Sequence, residues 1–275
     1  MRRRLAGETP AAGPMRLVRQ KIAGLSETGA YKARLVEARP IAFLAGAAMA
    51  GFYLGIGDVV SFTLGSYVGP AWSHVIMSVV LVATLTIVVS AGSELSVGTA
   101  LVMPLAVLTR LSSVRGMLSV WFISWIGNLV GAFSLAALVH FAGGGDLLVD
   151  GSTKFFPAVE ARMSASAAQL LVGGALCNWL VCLAISMGQS AKNTTNKILA
   201  ISLPIAFFVI LRLEALCVAN MFTFALALIG DHPKTVTLTG AAHNLGWLTL
   251  GNLIGALVFA GPAYWLVCRK RMRLT

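Results

Sequence analysis

Gly127-Asn128-Leu129-Val130-Gly131-Ala132 recurs 124 residues later as Gly251-Asn252-Leu253-Ile254-Gly255-Ala256, and both copies lie inside long apolar runs. Only Val130 and Ile254 differ, so the chain reads as two related halves. When each half of a membrane chain crosses an odd number of times, the copies face opposite ways around a path at the midplane, as in transporters and channels. Glycines four apart by themselves only let helices approach closely. That packing role is the plainer reading for the glycines, but the shared Asn and trailing Ala argue against two coincidental motifs.

The composition fixes the solvent. With 275 residues, 57% of them hydrophobic and 11% charged, and a mean hydropathy of +0.84, the chain has too little polar surface to cover a water-soluble globule. It reads as an all-α integral membrane protein. Apolar runs at 41–65, 75–109, 117–142, 167–188, 199–229 and 241–267 give six spans and put both termini on one side. The organisation expected is a basic segment over 1–40, a six-span domain over 41–267 and a basic tail over 268–275.

Charge assigns the sides. Nine Lys and Arg precede the first span, four follow the last, and Arg110, Arg115, Lys192 and Lys197 fall in loops on that same face; only Lys154, Arg162 and Lys234 fall opposite. Both termini are therefore expected in the cytoplasm, with the chain in the inner (plasma) membrane. The net charge of +11 is accounted for by orientation and contact with anionic membrane lipid, so no nucleic-acid partner is expected. The first 40 residues lack the apolar core of a signal peptide. Met15, Val18, Ile22 and Leu25 instead recur at helical spacing among basic residues, as in an interfacial amphipathic helix.

Two runs are too long for one span. Residues 75–109 would make a helix of roughly 50 Å against a hydrocarbon core of about 30 Å. Ser90-Ala91-Gly92-Ser93-Glu94-Leu95-Ser96-Val97-Gly98 offers a break, with hydroxyls and two glycines to re-satisfy or bend the backbone. The fifth run, 199–229, has Pro204 near its start and Arg212, Glu214 and Asn220 near its centre. Glu94 and Glu214 are 120 apart, close to the hexapeptide offset, so the second and fifth spans correspond. Acids at membrane depth cost several kcal/mol unless paired or hydrated. Each Glu therefore either accepts hydrogen bonds from freed N–H groups of its own broken helix or belongs to a functional site. Broken helices meeting at the midplane bring two positive N-termini together, which favours a small anion, although no ring of Lys or Arg accompanies them.

With these segments placed, nearly the whole chain resembles the formate/nitrite transporter family. Gly29-Ala30-Tyr31-Lys32-Ala33 is similar to the family's segment before span one. Both Gly-Asn-Leu-x-Gly motifs, Cys177-Asn178-Trp179-Leu180-Val181-Cys182-Leu183-Ala184, Leu203-Pro204, Phe208 and Ala219-Asn220-Met221 resemble its landmarks in spans three to six. The resemblance implies an aquaporin-like six-span bundle of two inverted three-span repeats, with spans two and five broken, assembled as a homopentamer with one pore per protomer. It implies a channel for a small anion such as formate or nitrite, not an enzyme, with no cofactor and no metal. Pore constrictions fall on Leu81, Leu85, Leu95, Val97 and Phe208, and Asn178 faces the pore centre near Asn220. Arg162 takes the place of a vestibule lysine, and Glu94 and Glu214 hold the broken-helix loops.

The departures from the family pattern fall at the pore centre. Where the family has Glu-His-Ser-Ile-Ala-Asn-Met, this chain has Glu214-Ala215-Leu216-Cys217-Val218-Ala219-Asn220-Met221, one residue longer and without His. The His position is Ala215 when anchored on Glu214 and Leu216 when anchored on Asn220. The family's loop Thr falls on Val97, and Arg212 stands where a small residue is expected. Since His is the side chain that most readily exchanges protons near neutral pH, three readings stay open: an anion transporter whose substrate is protonated by water or in a vestibule, a pore for small neutral solutes, and a scaffold that has lost transport. Arg212 is either a substitute charge or a structural partner of Glu214.

The remaining candidates have plainer readings. Cys177, Cys182, Cys217 and Cys268 lack Cys-x-x-Cys spacing and suit small core positions. His74 and His232 fall at span ends, and His243 with Asn244 opens span six, either as a vestibule proton donor or as a helix-start residue. Asp58, after Gly55 and Gly57, reads as a residue at the end of span one. Tyr53, Tyr67, Trp72, Tyr264 and Trp265 suit an interfacial aromatic belt.

Overall fold

The computed structural model describes residues 12–148, 152–191, 193–210 and 216–268. Every regular element among them is a helix. Arg212, Glu214 and Ala215 lie outside the described residues, as does the tail beyond Cys268.

Among the described residues, four helices are long and apolar enough to cross a membrane: α2 (Pro40–Ser66), α5 (Val114–Phe141), α8 (Ala167–Gly188) and α11 (Leu238–Cys268). The two long runs are interrupted as expected. α3 (Pro70–Ser90) is followed by α4 (Ser96–Leu108), and α9 (Thr194–Ile210) by α10 (Cys217–Ile229). With 13 residues each, α4 and α10 measure about 20 Å and cannot cross alone. Pro204 lies inside α9 and does not end it, and Leu216, directly before α10, is extended.

The first break is held from outside its own helix. Gly92 takes a φ of +70°, a region open to glycine without steric cost, and the Glu94 N–H donates to the Gly46 carbonyl of α2 at 3.1 Å. Leu95 then precedes α4 in extended conformation with no side-chain cap. A helix start leaves N–H groups without acceptors, and hydrocarbon offers no water to satisfy them. Asn128 on α5 supplies the acceptor: its Oδ1 receives the Ser96 N–H at 2.9 Å. Its Nδ2 donates to the carbonyls of Ala47 at 2.8 Å and Glu94 at 2.9 Å. The second break repeats the device. Leu216 precedes α10 uncapped by its own side chain, the Cys217 N–H donates to Asn252 Oδ1 at 3.2 Å, and Asn252 Nδ2 donates to Gly174 O at 2.9 Å.

The glycines of the same motif set the packing. A Cβ on Gly131 would fall 1.8 Å from the Ala48 carbonyl oxygen, and one on Gly255 2.1 Å from that of Ala175. Backbone-to-backbone contact of α5 with α2 and of α11 with α8 is therefore possible only with glycine at these positions. Trp125 Nε1 donates to Thr249 Oγ1 at 3.1 Å, joining two residues that occupy the same position in the two copies.

Three sequence expectations change. α1 (Ala12–Ala38) does not merely lie at an interface: it packs on α4 and buries Ile22, Leu25 and Ala30. Tyr53 sits in the middle of α2 and not at a span end. The link between α5 and α8 contains α6 (Gly145–Leu148) and α7 (Ser152–Ser164). Phe155, Val159 and Met163 form the buried face of α7. Lys154 Nζ donates to the Gly65 carbonyl in the last turn of α2 at 2.7 Å and to the Val68 carbonyl just beyond it at 3.1 Å. Phe155 meets Phe62 edge-on at 5.3 Å. These contacts fix α7 over α2 and set the position of Arg162.

Candidate pore

Two cavities lie at the walls of one buried apolar cluster. The smaller, about 30 Å³, is lined by Asp58, Ser61 and Phe62 of α2, Met77 and Leu81 of α3, Arg162 of α7, and Leu216, Ala219 and Asn220 at the start of α10. The larger, about 280 Å³, is lined by Thr28 and Lys32 of α1, Leu95, Thr99 and Val102 beside α4, Ile185 of α8, and Lys197 and Ile201 of α9. Leu85, Leu95, Val97 and Leu216 are buried in the shared cluster, with Leu81 packed against it. Within or against that cluster, Leu81 and Leu216 line the smaller cavity and Leu95 the larger.

The structure brings Leu81, Leu216, Asn220 and Arg162 together in the smaller cavity and puts Leu95 in the larger. Leu216, the residue named by the Asn220 anchor, reaches a cavity wall. Val97 lines a separate apolar cavity of about 390 Å³ between α4, α5, α10 and α11. Asn178 is fully buried and lines neither of the two cavities; its Nδ2 donates to Asn252 O at 2.6 Å and Val97 O at 3.4 Å. It ties α8 to α11 and the start of α4. Phe208 belongs to α9, with its side chain outside the described residues.

Arg162 is held in a polar network. Its Nη1 donates to Asn220 Oδ1 at 3.1 Å and to Thr223 Oγ1 at 3.2 Å, and its guanidinium carbon lies 5.7 Å from the centre of the Phe62 ring, within cation–π range. Thr223 Oγ1 donates to Asp58 Oδ2 at 3.1 Å. Asn220 Nδ2 donates to Asn244 Oδ1 at 2.9 Å, and Asn244 Nδ2 to the Arg162 carbonyl at 2.6 Å. His243 is exposed, with Nε2 3.2 Å from Ala165 O. The network thus includes its neighbour Asn244 and not His243.

Sequence reasoning missed Asp58, Thr223 and Asn244 as parts of this site. Asp58 lies well inside α2, and an acid within an apolar helix was itself the signal. The helix-end attraction expected from the breaks is also reduced, because the first N–H of α4 and of α10 is taken by Asn128 and Asn252. Arg162 is the cation at the smaller cavity.

Glu94 is buried and its carboxylate pairs with Lys32 Nζ of α1. The ion pair binds α1 to the first break. Lys32→Met leaves a buried carboxylate without its counter-charge, a change that costs about 3–5 kcal/mol. Thermal unfolding of Lys32→Met, Glu94→Gln and the double variant is expected to show the double less destabilised than the sum of the singles. Additive losses would mean the pair contributes nothing. Cys177, Cys182 and Cys217 are buried and form no disulfide.

An all-helical membrane-type chain with side-chain-capped half-helices and two cavities at an apolar cluster has the architecture of a channel or transporter. The chain belongs to the formate/nitrite transporter family, whose model matches residues 19–266. It is 40% identical over 241 residues to the nitrite transporter NirC of Salmonella typhimurium, covering 88% of each chain. Among solved structures it is similar to an FNT family ion channel, with 39% identity and a TM-score of 0.85 over 90% of this chain and 98% of that one. It also matches a pentameric formate channel with formate bound, with 25% identity and a TM-score of 0.69 over 88% and 98% of the two chains.

Proposed function

We propose that this chain forms a homopentameric channel in which each protomer lets a small monovalent anion of the formate or nitrite class cross the plasma membrane down its gradient. The protomer is an aquaporin-like bundle of two inverted three-span repeats, with residues 1–40 and 268–275 in the cytoplasm. The cavity with Lys32 and Lys197 faces the cytoplasm, and the cavity with Arg162 faces outward. Membrane lipid contacts the exposed apolar helix faces.

The observation that carries this reading is the pair of cavities lined in part by one buried apolar cluster that holds Leu85, Leu95 and Leu216, with Leu81 packed against it. Moving a bare carboxylate into such surroundings costs up to order 20 kcal/mol before relaxation. Protonating a carboxyl with a pKa of about 4 at pH 7 costs only about 4 kcal/mol. The substrate therefore crosses as the neutral acid. Relative to the family pattern, Leu216 replaces the pore His, so the proton comes from water in a vestibule.

The test is uptake of radiolabelled formate, nitrite and urea by proteoliposomes at pH 5 and pH 7, against empty liposomes. Formate and nitrite are expected to enter faster at pH 5, where the neutral fraction of a carboxyl with pKa near 4 is about a hundredfold larger, and urea is not expected to enter above background. Urea entry without anion entry would make this a neutral-solute pore. No flux of any kind would make it a scaffold without transport.

A further inference from the structure

We propose that Asp58 determines the anion affinity of the smaller cavity by offsetting the charge of Arg162; the inference rests on the anion-channel reading above. Asp58 is buried within α2, and an acid at that depth must be matched by a cation or by hydrogen bonds. The structure provides a match across three elements. Thr223 Oγ1 of α10 receives an N–H from Arg162 of α7 at 3.2 Å and donates to Asp58 Oδ2 of α2 at 3.1 Å. The Thr223 hydroxyl thus joins the two opposite charges, and both side chains line a cavity of about 30 Å³, which has room for a water-sized molecule.

An anion in so small a cavity meets both groups at nearly the same range. Its attraction to Arg162 and its repulsion by Asp58 are of similar size and largely cancel. A channel needs this balance, because a site must be favourable enough to enter and weak enough to leave. With Arg162 alone, beside an apolar barrier and with Asn220 holding its Nη1 in place, the cavity would retain the anion. Asp58 lowers that hold, and Thr223 fixes the distance over which it acts.

Binding of ¹³C-formate to the full-length, detergent-purified protein, followed by saturation-transfer NMR, reads the cavity independently of flux. Asp58→Asn is expected to lower the formate dissociation constant at least tenfold. Asp58→Asn combined with Arg162→Gln restores charge balance and is expected to return it to the wild-type value or weaker. If Asp58→Asn binds formate within twofold of wild type as the same oligomer, the proposal is overturned. Should Asp58→Asn fail to assemble, Asp58→Ser is measured with the same expectation; failure of both to assemble makes Asp58 a structural partner and also overturns it. A wild-type protein that takes up no anion in proteoliposomes defeats the anion-channel reading, while tighter formate binding by Asp58→Asn would still support charge offset.

Discussion

Asn128→Leu is expected to lower the thermal unfolding midpoint of the purified protein by roughly 10 °C and to abolish uptake. The side chain makes three hydrogen bonds, to Ser96 N–H, Ala47 O and Glu94 O, all in a segment where water does not substitute for them. Each buried group left unsatisfied costs about 1–3 kcal/mol, so the loss over the three groups is about 3–9 kcal/mol, with the lower part of that range expected. For domains of this size about 1 kcal/mol corresponds to 2–4 °C. Asn252→Leu is expected to act in the same direction, through the Cys217 N–H and the Gly174 carbonyl. Asn128→Asp, which keeps the acceptor and loses the donors, should fall between wild type and Leu. Midpoints unchanged in both Leu variants would show that the breaks are held by something other than the repeated Asn.

Arg162→Gln is expected to reduce the initial rate of formate and nitrite uptake about 100-fold while the oligomer persists. The substitution leaves Asp58 without its offsetting charge at the small cavity. A unit charge about 6 Å from an anion at an effective dielectric of 20 contributes about 3 kcal/mol, close to two decades in rate. Arg162→Lys keeps the charge but not the guanidinium geometry that places Nη1 between Asn220 and Thr223, so its uptake should be intermediate. Uptake by Arg162→Gln equal to wild type would remove Arg162 from the pathway.

Much of the fold was legible because membrane spans announce themselves through length and hydropathy. The breaks in particular follow from two runs too long for the bilayer and from Gly92 beside small polar residues. The duplicated hexapeptide identified the packing partners only in part. Its glycines could be assigned to close approach from spacing alone, whereas the role of Asn128 and Asn252 depends on which helix start lies opposite, and a linear pattern does not specify that. α7 was missed because its apolar face is only three residues long and is interrupted by Pro157.

The site was less legible for a related reason. Leu81, Leu95, Leu216, Asn220 and Arg162 come from four separate segments, and the resemblance supplied their grouping before the cavities did. Asp58 was assigned to a helix end because its run was judged from a boundary and not from the buried network that encloses it. Lys32 was quoted only as part of a motif, and its pairing with Glu94 needs α1 docked against the first break.

The most direct test of passage as the neutral acid is to record lumen pH and formate entry together in proteoliposomes, using a trapped pH dye and labelled formate under an inward formate gradient with no imposed voltage. Co-entry of one proton with each formate is predicted, seen as lumen acidification in step with uptake. Formate entry with no change in lumen pH, accelerated by an inside-positive potential, would show a bare anion crossing the leucine barrier and would contradict it.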